Sequence, residues 1–189
     1  MKTYINIDTL EYPVYEHVIK QRYKNKSWPS TFIPPAEYQE VLTTNRPVVD
    51  KWLKKVVEIS PIKENDKWYK AWQIIDLSEQ EKERIFTIAL YNIKKDFSEQ
   101  VQSRLNLFAR TRGYDDIVTA CSYSLSLDPI FKLEGQRCVE LRDATWKKLY
   151  EIIAEIGEKR RSFTNNFKDI EIELPSLSWI DANKTINNV

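Results

Sequence analysis

Apolar positions recur at helical spacing through the second half of the chain and fall into short clusters in the first. After Phe86, the residues Leu90, Ile93, Phe97, Val101, Leu105 and Phe108 follow at steps of four, three, four, four, four and three. That spacing is one stripe along a helix of about six turns. Asp76-Leu77-Ser78-Glu79-Gln80-Glu81 supplies its start, since Ser78 suits the free amides of a first turn and Glu81, three residues on, reaches back. The steps depart from a strict heptad, so the stripe is expected to pack on helices of its own chain. Gly113 is placed to end the helix in the left-handed conformation, and Asp115 or Asp116 to cap a short second helix carrying Ile117, Val118, Cys121 and Leu125. Asp128 and Pro129 then offer a cap and a first helical residue. Phe131, Gly135, Cys138, Val139, Arg142, Trp146, Leu149, Ile153 and Ile156 keep a helical period until Gly157, which closes this third helix.

The first half is punctuated differently. Pro13, Pro29, Pro34, Pro35, Pro47 and Pro61 all precede residue 62, which disfavours long helices there apart from a short one near residues 15–23. Val56-Val57-Glu58-Ile59 and the aromatic-rich run 68–75 predict a β-hairpin, with a longish loop built from Pro61 and Glu64-Asn65-Asp66. Beyond Arg161 the chain turns polar and then alternates in Ile170-Glu171-Ile172-Glu173-Leu174, the pattern of one more strand. The expected fold is therefore α+β: a small N-terminal β-hairpin and irregular region (1–76) packed on a C-terminal antiparallel three-helix bundle (77–157), followed by a tail with a short strand (158–189). The junctions that define it are Ser78, Gly113, Asp115, Asp128, Pro129, Gly135 and Gly157.

Charge and chemistry narrow the function classes. Lys and Arg total 29 against 28 for Asp and Glu, so no long-range attraction favours nucleic acid or anionic lipid as the partner. No apolar run reaches the length that spans a bilayer, and the first residues do not resemble a signal peptide. Two cysteines without such a signal fit a reducing cytoplasm, with Cys121 and Cys138 expected either as buried thiols or as a pair. The single histidine, His17, has no Cys or carboxylate cluster around it, so a zinc or iron site of ordinary spacing is not expected. Gly113, Gly135 and Gly157 stand alone and build no phosphate cradle, and Ser122 and Ser124 lack a base. The acidic pairs Asp115-Asp116 and Glu171 with Glu173 are explained by capping and by a solvated strand face. No catalytic residue, metal or cofactor is expected, and the chain is read as a non-enzymatic binding protein. Tryptophans in irregular segments are either clasps on the core or anchors for a partner, which singles out Trp28 with Pro29, Trp52 and Trp179 as candidate partner-binding residues.

One stretch carries a resemblance. Ala109-Arg-Thr-Arg-Gly113-Tyr114-Asp115-Asp116-Ile117, Ala120-Cys121-Ser122-Tyr123, Asp128-Pro129-Ile-Phe131-Lys-Leu-Glu134-Gly135-Gln136, Arg142-Asp143-Ala144-Thr145-Trp146 and Glu173-Leu174-Pro175-Ser-Leu177-Ser-Trp179 together resemble a helical module of bacteriophage tail-fibre-associated proteins. Ser27-Trp28-Pro29, Arg46-Pro47 and the run 68–78 resemble their leader more weakly. The resemblance implies a tail-fibre or tail protein as partner and leaves homo-oligomerisation open. It implies an assembly chaperone acting in the host cytoplasm, or alternatively a permanent subunit of the virion tail. It carries over no catalytic residue.

Overall fold

The computed structural model, which describes residues 2–180, replaces the expected lone hairpin with a five-stranded mixed sheet. The strands are β1 (Thr3–Asn6), β2 (Val14–Tyr15), β3 (Tyr38–Leu42), β4 (Lys54–Glu64) and β5 (Lys67–Asp76), in the spatial order β2-β1-β3-β5-β4. β1 lies antiparallel to both β2 and β3, whereas β3 runs parallel to β5 through Val41 opposite Trp68 and Leu42 opposite Tyr69. These additions leave little trace in local pattern. All four residues of β1 are buried, so it shows no alternation, and β2 is two residues long.

The hairpin itself is tighter and longer than expected. β4 and β5 pair from Lys54 opposite Asp76 to Glu64 opposite Lys67. Asn65 and Asp66 alone make the turn, at φ 46° and 58°, the left-handed pair that matches the twist of two strands. Pro61 is not in the loop but within β4, where the register shifts between Ile59 and Ile62. A proline has no N–H to give, and a bulge on an edge strand tolerates it. The helix α1 (Glu16–Arg22) closes one small core, in which Ile19 meets Tyr4, Val14 and Tyr38.

The helical part likewise has more elements than the expected three helices. It comprises α2 (Glu79–Arg110), α3 (Ile117–Ser122), a single 3-10 turn over Tyr123–Leu125, α4 (Pro129–Gly157) and α5 (Lys168–Glu171). Ser78 and Glu81 form the reciprocal cap of α2: Glu81 N donates to Ser78 Oγ at 3.3 Å, and Ser78 N donates to Glu81 Oε2 at 3.0 Å. Of the two aspartates after Gly113, Asp116 caps α3 by accepting from Thr119 N at 2.7 Å. Asp115 instead offers its main-chain carbonyl to Arg110 Nε. Asp128 accepts from Ile130 N and Phe131 N, with Pro129 at the first helical position.

α2 and α4 are antiparallel, because Leu90 lies beside Gly157 whereas Arg112, just past the end of α2, reaches Glu134. Their core includes Phe97, Val101 and Leu105 from α2 and Cys138, Leu149, Ile152 and Ile156 from α4. The buried face of α4 is rotated from the expected stripe: Glu134, Leu141 and Thr145 point inward, whereas Phe131 is exposed. Two polar residues at core positions hid that face. The Thr145 hydroxyl is satisfied internally, donating to Leu141 O at 2.7 Å.

The strand expected at residues 170–174 is a helical turn. Ile170 is fully buried and Leu174 nearly so, while Ile172 between them is 86% exposed, which is a period of four and not of two. Gly157 is the last residue of α4 but does not adopt the left-handed conformation. Lys159 does, at φ 58°, and Arg160 N closes back on Glu155 O at 2.9 Å, a Schellman closure without its usual glycine. The chain forms two compact units, Met1–Glu83 and Arg84–Val189, and the division falls inside α2.

Candidate functional site

A buried charge organises one end of the helical unit. Glu134 is 4% exposed, on the first turns of α4. Its carboxylate accepts from Arg112 Nη1 at 2.5 Å and from the Tyr114 hydroxyl at 2.8 Å. Both donors come from the turn around Gly113, whose φ of 83° folds the chain back after α2. Burial, and then the hydrogen bond to Glu134, push the Tyr114 hydroxyl well above the ordinary tyrosine range, so it stays a donor at any working pH. Gly135 makes the neighbouring contact. A Cβ there would stand 2.3 Å from Ser124 N and 2.5 Å from the Tyr123 carbonyl carbon, so the 3-10 turn lies directly on α4.

Arg112 and Tyr114 form, on their outer side, part of a slot for Trp179. The indole stacks on Phe108 with ring centres 4.3 Å apart and planes at 17°, and lies 6.1 Å from Tyr114. The Arg112 guanidinium sits 5.2 Å from its centre, and the indole N–H donates to Thr111 Oγ1 at 2.8 Å. The preceding residues are held by arginines. Arg104 Nη2 donates to Pro175 O at 2.9 Å, and Arg137 Nε to Ser178 O at 3.2 Å. The aromatic row continues outward from Tyr114 to Tyr123 at 5.4 Å and from Tyr123 to Phe131 at 5.5 Å. There the turn between α3 and α4 carries apolar side chains into water: Leu125 is 87% exposed and Leu127 entirely so, beside exposed Ile130 and Phe131.

The other expected partner-binding residues have quite different surroundings, in the sheet unit. Trp28 is half-buried against Tyr23 and Phe32, with Lys26 Nζ 5.0 Å above its ring, and Pro29 next to it is exposed. Trp52 is half-buried in the turn before β4, its amide donating to Asp50 Oδ1 at 2.9 Å. Trp28 and Trp179 each pack within their own unit. The exposed turn at 123–131 was not singled out by sequence, because Leu125 was assigned to a helix face. Glu134 was the available signal: a carboxylate beside a core glycine needs a nearby cation.

The sheet unit has a cleft of 580 Å³ lined by Thr3, Tyr12, Tyr15, Glu58, Ser60 and Lys70. Its acid and base are already matched. Glu58 accepts from the Tyr12 hydroxyl and, at 3.0 Å to each oxygen, from Lys70 Nζ. Burial opposes the charge of Glu58, yet those bonds outweigh it and hold the carboxyl below its ordinary value. The trio ties β4 and β5 to the segment before β2. Cys121 and Cys138 are both buried free thiols. Burial pushes Cys138 up to about 12, which starves it of thiolate. His17 is exposed and stacks on Tyr15. Among the described residues, no group of three or more His, Cys, Asp or Glu is placed to hold a metal ion, and no helix is long and apolar enough to cross a membrane. Comparison with models of known protein families, with curated proteins and with solved structures finds no match to this chain.

Proposed function

We propose that the chain is a non-enzymatic protein-binding factor of a bacteriophage tail, an assembly chaperone that holds a tail-fibre polypeptide until its oligomer forms. The observation that carries this is the exposed apolar turn. Leu125 and Leu127 stand in water on a segment anchored by the Asp128 cap and by the close seat of residues 123 and 124 on Gly135. A rigid apolar projection of this kind is costly in water and is recovered when a partner covers it. The sequence resemblance over roughly residues 105–180 supplies the class of partner.

Co-expression with the neighbouring fibre gene tests the proposal. Soluble fibre polypeptide is expected to increase and to co-purify with this chain. The double substitution Leu125→Asp and Leu127→Asp is expected to abolish the complex without lowering the melting temperature, since both side chains are already solvated. An unchanged fibre yield with no complex overturns the chaperone. Mass spectrometry of purified virions separates the two roles, because a chaperone is absent from the particle and a tail subunit is present.

A further inference from the structure

We infer that the slot filled by Trp179 is a peptide-binding groove occupied in cis by residues 175–180, and that an extended segment of the fibre partner carrying an aromatic anchor displaces them. The inference rests on reading the chain as a polypeptide-binding protein and locates where the partner docks.

The groove recognises features that any extended peptide has. Arg104 and Arg137 both donate to main-chain carbonyls, those of Pro175 and Ser178; Arg137 also reaches the Ser178 hydroxyl at 3.4 Å, and the indole is held through its N–H. Residues 175–180 belong to no helix or strand. Their burial also stops short of the core. Ile170 and Leu174 are closed in, whereas Leu177 and Trp179 are only partly covered. Removing the segment uncovers the outer faces of Phe108 and Tyr114, on which Trp179 stacks.

The walls are held from behind as well as by their occupant. Phe108 is buried in the helix core, and Arg112 and Tyr114 are pinned from behind by Glu134. One nitrogen of Arg104, Nη1, is buried with no acceptor. A partner strand with a further carbonyl would supply one. The slot is also continuous with the exposed turn through the row Trp179, Tyr114, Tyr123 and Phe131. Within that row Tyr114 is buried whereas Tyr123 and Phe131 are exposed, so a partner lying over Leu125 and Leu127 meets the outer end of the row whose inner end holds the chain's own tryptophan. A tether of a few residues from Leu174 holds the cis segment at an effective concentration on the order of millimolar, so a trans segment wins by adding contacts on the turn.

The test uses the full chain with Trp179→Ala and a fluorescent nonapeptide of the sequence of residues 172–180, alongside the same peptide with its tryptophan replaced by alanine. Anisotropy is expected to show the tryptophan peptide binding the variant at least about tenfold more tightly than wild type. The alanine peptide is expected not to bind, and adding Arg137→Ala to the variant is expected to weaken binding. A folded variant that ignores the peptide, or binds both peptides alike, overturns the groove. Should Trp179→Ala fail to fold, wild type with excess peptide is followed by hydrogen exchange. Faster exchange at residues 176–180 supports displacement, and unchanged exchange overturns it. The fibre reading fails separately: peptide binding without any fibre complex removes the fibre and keeps the groove. A fibre complex indifferent to Trp179→Ala and to added peptide does the reverse.

Discussion

Gly113 and Gly135 lie in the same turn region and answer to different physics. Gly113 has open space around its missing Cβ but a φ of 83°, so Gly113→Ala is a matter of backbone strain and is expected to cost about 1 kcal/mol. Gly135 has an ordinary helical backbone, yet a Cβ would collide with the main chain of Tyr123 and Ser124. Backbone cannot swing aside as a side chain does, so Gly135→Ala is expected to cost about 3 kcal/mol. Urea denaturation of the two variants checks the order, and equal losses would contradict the close seat of the 3-10 turn. By contrast, a Cβ at Gly157 meets only Leu90 Cδ2, at 3.2 Å, the far end of a side chain that can yield.

The start of α2 is held by charge as well as by its cap. The Lys55 ammonium bonds to Glu81, the Ser78 amide adds to it, and together they hold the carboxyl at about 2. A depressed carboxyl contributes above its ordinary value and loses that contribution as pH falls through the folded one. The contribution of Glu81 to the first turn of α2 is therefore expected to fade progressively as the pH falls from about 4.3 towards about 2. The Glu81 carboxyl shift in an NMR titration checks it, and a midpoint near the unperturbed value of about 4.3 would contradict the arrangement. Lys55→Ala is expected to move the midpoint upward. This element was legible in sequence because cap and stripe are both local, and so were α4 and its Asp128-Pro129 start. β1, β2 and β3 were not, since their pairing is long-range, β1 is uniformly buried, β2 is two residues long, and β3 buries only Tyr38 and Val41, three apart. At residues 170–174 two periods fitted the same five letters, and only the exposure of Ile172 separates them. Of the candidate site, Trp179 and Gly135 were visible from sequence. The Arg112 and Tyr114 pairing with Glu134 was not, because it joins residues about twenty apart around a turn.

At the scale of the molecule, the two units are held by cores of unequal size. The sheet unit closes over the small cluster of Tyr4, Val14, Ile19 and Tyr38, whereas the helical unit buries a continuous stripe from both long helices. Opening free energy follows such burial. Native-state hydrogen exchange in mild denaturant is expected to show two levels, with the slowest amides around Phe97 to Leu105 and Leu149 to Ile156. Identical protection in the sheet strands would mean that the units unfold as one. Lys159 gives the helical unit an unused margin in heat resistance. A lysine in the left-handed conformation costs about 1 kcal/mol, more than an exposed cation–π contact such as that of its ammonium with the Phe86 ring, 5.2 Å from the ring centre, is usually worth. Lys159→Gly is accordingly expected to raise the melting temperature of this unit by about 2 °C. The residue that ends α4 without a glycine thus marks where the chain can be made more heat-resistant without touching the slot or the exposed turn.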